Sequence, residues 1–152
     1  MEEVAMPLVS GQKLTPATAP GWVAENDRQT TVGSITTTEA VLQSVTFTAV
    51  STARYKISAV QSIQSTVAGD LIQMRIRWSA GAILSTSGTE LKSILPNADV
   101  ASKGQAQPIT ATVTNLSGQI TVGVTAVRNS GTGTVSSFGD SRMTNTILVE
   151  RV

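Results

Sequence analysis

The chain has 152 residues, a net charge of +1, 14% charged residues, and neither His nor Cys. That length suits one domain with a real core. Together these numbers exclude disulfides, thiolate or histidine metal sites, a Ser-His-Asp triad and a thiol nucleophile, and they offer no strongly basic surface for nucleic acid.

The first 28 residues stand apart. Pro7, Pro16 and Pro20, with Gly11 and Gly21 among them, oppose a regular strand or helix. Yet Met6, Leu8, Val9, Leu14, Trp22 and Val23 are apolar. The expectation is an extended N-terminal arm over 1–28 with apolar anchors. The alternatives are that it packs along its own domain, reaches a neighbouring subunit or larger particle, or is disordered. The start, Met1-Glu2-Glu3, is acidic with no apolar run after it, so no signal peptide is expected. No stretch approaches the ~20 apolar residues of a membrane span.

From residue 29 the chain reads as a β domain, 29–152. Ser and Thr make up about a quarter of the whole chain, and threonine suits a pleated surface. Strands are expected over 29–37, 41–49, 54–65, 71–78, 82–86, 89–95, 108–115, 119–128 and 144–151, with long loops over 96–107 and 129–142. The clearest is Leu71–Trp78, where Ile72, Met74, Ile76 and Trp78 alternate with Gln73, Arg75 and Arg77. In 119–127, Ile120, Val122, Val124 and Ala126 alternate with Thr121, Gly123 and Thr125 in the same way.

Short turns suggest that 41–49 pairs with 54–65 as a hairpin, and 108–115 with 119–128. Val41, Val45 and Phe47 should share one face, and Tyr55, Ile57, Ala59 and Ile63 another. Both should meet Met74, Ile76, Trp78, Ile109, Ala111, Val113, Val122 and Val124 in the core. So many strands with short turns predict an all-β, jelly-roll-like antiparallel β-sandwich, with an immunoglobulin-like sandwich as the rival.

Little of the sequence carries chemistry. Lys56 and Ser58 lie two apart on one strand face, which reads as solvent exposure before it reads as a Ser-Lys pair. Glu25 and Asp27 read as a solvated turn rather than a glycosidase carboxylate pair. Asp70, Asp99 and Asp140 are isolated, unlike a calcium loop. Gly131-Thr132-Gly133 lacks the lysine and helix of a phosphate loop. No catalytic residue, metal or cofactor is expected. Arg75 and Arg77 share the polar face of their strand, either as a plain outer face or as a subunit contact, where Arg is enriched. Thr121 and Thr125 belong to the same class of candidate assembly surface. Trp78 is expected in the core and Trp22 as an anchor of the arm, with a ligand-binding role for Trp22 as the lesser alternative.

In order along the chain, Pro7-Leu8-Val9-Ser10-Gly11-Gln12-Lys13-Leu14-Thr15, Gly21-Trp22-Val23-Ala24, Ser44–Ala49 leading into Arg54–Ile57, Asp70–Arg77, Ala126–Gly133 and Ile147–Glu150 resemble virion structural proteins of actinobacterial tailed phages. These are minor tail or head-decoration proteins with a jelly-roll-like domain. The resemblance implies a non-enzymatic, homotrimeric component at the virion surface, with other virion proteins, capsid or tail, as partners. A coiled-coil or collagen-like shaft is missing, so it implies a compact knob rather than a long fibre. Pro7, Leu8, Val9, Leu14, Trp22, Arg75 and Arg77 are the docking candidates. The alternative is a carbohydrate-binding module that takes a host-surface glycan. With only five aromatics in the chain, that alternative has few stacking platforms.

Overall fold

The computed structural model describes residues 21–152, which form ten strands. These are β1 (Gly21–Arg28), β2 (Val32–Ile35), β3 (Ala40–Ala49), β4 (Arg54–Ser65), β5 (Leu71–Ala80), β6 (Thr89–Ile94), β7 (Gln105–Thr114), β8 (Gly118–Ser130), β9 (Val135–Phe138) and β10 (Asn145–Arg151). The larger sheet runs β1-β10-β4-β9-β2, with β7 on the other edge of β4. The smaller runs β3-β8-β5-β6, and all pairs are antiparallel. The architecture is the expected jelly-roll-like β-sandwich.

Period-two alternation builds the core. Met74 and Ile76 on β5 and Val122 and Val124 on β8 point inward from the smaller sheet and are fully buried. They meet Ile57 on β4 and Ile147 and Val149 on β10, from the larger sheet. Burying each such side chain is worth about 1.5–3 kcal/mol. Trp78 and Val113, expected inside, are half-buried at its rim.

Both expected hairpins are corrected. The chain crosses between sheets after β3, which pairs with β8, while β4 pairs with β10, β7 and β9. It crosses again between β7 and β8. At the first crossing the Phe47 and Tyr55 rings sit 5.0 Å apart. The Tyr55 hydroxyl accepts a hydrogen bond from the Val50 amide at 2.8 Å, which pins the corner.

A β-bulge between Val41 and Gln43 shifts the facing of β3. Leu42 and Gln43 are buried, while Val41, expected beside Val45 and Phe47, is only half-buried. Residues 82–86, expected as a strand, are irregular.

Residues 21–28, expected in the arm, form β1 along β10, so the sandwich already includes Gly21. The rest of the expected arm, with Pro7, Leu8, Val9 and Leu14, lies outside the described residues. Strand β9 runs through the expected loop 129–142.

Candidate functional site

Arg75 and Arg77 project from the outer face of β5, as their alternation requires. Glu39, just before β3, reaches across β8 to meet both. Arg75 Nη1 donates to Glu39 Oε2 at 2.8 Å, and Arg77 grips both Glu39 oxygens at 2.8 and 3.2 Å. Thr125 donates its hydroxyl to the same carboxylate. Glu90 on β6 adds a second carboxylate, 3.0 Å from Arg75 Nε without hydrogen-bond alignment and 3.6 Å from Arg77 Nη2.

Burial alone would raise the Glu39 carboxyl. The hydrogen bonds from Arg77 and Thr125 and the nearby guanidinium charges outweigh it and hold the group below its ordinary value. The Glu39 hydrogen bond in turn holds Arg77 more firmly protonated. Two guanidiniums against two carboxylates make a neutral, internally matched cluster.

The segment between β5 and β6 straps this face. Leu84 lies over Gly123, where an added Cβ would sit 2.7 Å from the leucine Cδ2 and collide with the Gln43 carbonyl oxygen. Thr121 donates to the Gly81 carbonyl and Arg77 to the Gly88 carbonyl, at 2.7 and 2.8 Å. Thr121 and Thr125, expected on an open polar face, are therefore fully buried.

A second cluster lies between the sheets. Gln61 on β4 donates to Gln43 on β3 at 2.7 Å, and Ser137 on β9 donates to Gln61 at 3.0 Å. Arg28 donates to Ser137 Oγ at 2.5 Å and to Gln61 Oε1 at 3.3 Å, and burial lowers its pKa. Asn145 accepts from the Ser62 amide at 2.6 Å. Sequence reading missed this cluster, because amides on inward positions look like breaks in an apolar face.

Asp70 ties the loops of one end together. Its carboxylate accepts from Ser65 Oγ at 2.6 Å and from the Thr132 and Gly133 amides at 3.1 and 2.9 Å. Its backbone carbonyl accepts from Ala98. The Ser65 hydrogen bond outweighs burial and, with the two amides and Arg128, holds the carboxyl below its ordinary value. Gly131-Thr132-Gly133 thus does cradle an anion, and that anion is the protein's own Asp70. Among the described residues, no group of three His, Cys, Asp or Glu could hold a metal.

Glu25 and Asp27, expected in a turn, lie on β1, and Trp22 sits near its start, 65% exposed. Its indole N–H donates to Glu25 Oε2 at 3.2 Å. The ring stands on the outer face of the larger sheet, in the strand itself. Lys56 pairs with Glu150 at 3.5 Å on that same face.

No protein family matches the chain, and no curated protein matches it by sequence. Similar solved structures include the infectious bursal disease virus VP2 subviral particle, at 12% identity over 97% of this chain and 42% of that one, with a TM-score of 0.48. They also include Bacillus endospore appendages, described as disulfide-linked pili, at 12% identity, 99% and 98% coverage and a TM-score of 0.41. TmCBM61 in complex with β-1,4-galactotriose matches at 12% identity, 75% and 69% coverage and a TM-score of 0.38. All three TM-scores lie below 0.5, and no function transfers from these structures.

Proposed function

We propose that this chain is a non-enzymatic structural protein of a bacteriophage particle. In this reading it is a homotrimeric surface subunit, docked through its N-terminal segment, and serves as a minor tail or capsid decoration protein. The observation that carries the structural role is where the polar groups point. Glu39, Arg75, Arg77, Gln61 and Asp70 bond to strands and loops of their own subunit. Such groups rigidify a part; they are not arranged around a substrate. The sequence resemblance supplies the phage setting. Cyclic packing of three sandwiches suits a trimer, because a head-to-tail contact between two different side faces closes into a ring.

Assembly falls to the segment carrying Pro7, Leu8, Val9 and Leu14, since Arg75 and Arg77 are already neutralised within the subunit. The test is a particle density map or immunogold labelling with antibody to this chain, together with light scattering of the purified protein. Labelled heads or tails and a threefold mass are expected. A monomer at micromolar concentration and unlabelled particles would overturn the reading.

A further inference from the structure

Beyond that structural role, we propose that the outer face of the larger sheet, centred on Trp22, is a binding surface for a neutral pyranose sugar. Strand register sets its layout. Trp22 on β1 is cross-strand to Glu150 on β10, then to Lys56 on β4 and Thr112 on β7. The next outward row is Glu25, Leu148, Ser58 and Thr110. With strands about 4.8 Å apart, each row spans roughly 14 Å, enough for a short oligosaccharide.

Four properties select the ligand. A tryptophan this exposed offers a flat apolar ring with a polar edge, open to stacking by a partner. The hydrogen bond to Glu25 fixes the indole by its edge, so the ring faces remain for stacking. Around it, carboxylates and hydroxyls offer acceptors to a ligand rich in O–H donors. Charge narrows the class: among the described residues Glu25, Asp27 and Glu150 outnumber Lys56 and Arg54 on this surface, which leaves it net negative. Sugars carrying carboxylate or phosphate would be repelled, and neutral ones would not.

The full chain is first applied to a printed array of neutral and acidic oligosaccharides. The strongest neutral compound is then titrated by calorimetry and by fluorescence of a Trp78→Phe variant, in which Trp22 is the only tryptophan. Binding to neutral glycans is expected, with a Trp22 emission shift. Trp22→Ala should lose at least tenfold in affinity without change in melting temperature, and Trp22→Phe should recover part of it. No array signal above background, or binding equal in Trp22→Ala, overturns the proposal. So does shielding of Trp22 from acrylamide in the free oligomer, which would assign the ring to a protein contact. None of these outcomes bears on particle location, so the proposal and the structural role fail independently.

Discussion

At the scale of single residues, two carboxylates and one glycine have consequences that can be measured. Asp70 and Glu39 are both held below their ordinary values of 3.8 and 4.5. Each therefore stabilises the fold fully above those values, and the contribution is lost as pH falls through the lower folded-state pKa. Melting temperature should stay flat between pH 7 and pH 5 and fall below about pH 4. In Asp70→Asn that acid slope should shrink, and an equally steep slope would show that Asp70 is not its source. Glu39→Gln leaves Arg75 and Arg77 facing a neutral amide in a part-buried site. The cost should be about 1–2 kcal/mol in a urea titration, between that of an exposed pair and a fully buried one. Gly123→Ala pushes a methyl into the Gln43 carbonyl, which cannot step aside without moving β3. Overpacking of this kind costs about 1–3 kcal/mol, and an unchanged unfolding midpoint would contradict the close approach.

Elements show where local pattern misleads. A short turn after β3 reads as a hairpin, because loop length alone does not say whether the next strand joins the same sheet. What sends it across is the core: the Phe47 and Tyr55 rings, tilted by 53°, come together from strands in opposite sheets. The bulge in β3 is hidden in the same way, since apolar Val41 and Leu42 are adjacent and either could point inward. Pro108 lies inside β7, which among the described residues pairs only with β4, as suits a proline that belongs on an edge strand. The strap between β5 and β6 was not legible as a strap. Its holding contacts include one leucine over one glycine, carbonyls taken by Thr121 and Arg77, and the Gly81 amide on the Gln119 carbonyl. Leu84→Ser should loosen it while leaving the sandwich folded. Hydrogen exchange should then rise over 81–88 but not over β8, and protection unchanged in both would argue against the strap being held by Leu84.

For the whole molecule, the boundary of the sandwich matters most. Strand β1 covers the edge of β10, and Asn26 hydrogen-bonds the Ser44 carbonyl at 2.7 Å, joining the two sheets along that seam. Deletion of residues 1–20 should keep the melting temperature within a few degrees, whereas deletion of 1–28 should lower it sharply by stripping β1. Equal stability of the two truncations, measured by circular dichroism, would show that β1 adds nothing. The sequence by itself determined the class of fold, most strand positions and the apolar faces of β5 and β8, because side-chain alternation is a local, period-two property of the backbone. It also removed histidine and cysteine chemistry outright. Only the tertiary structure decided which strands pair, where Glu39, Gln61 and Asp70 spend their hydrogen bonds, and which polar face is open. Those depend on groups far apart in the chain meeting in space, as when Glu39 neutralises the two arginines while Trp22 on the opposite sheet stays in water.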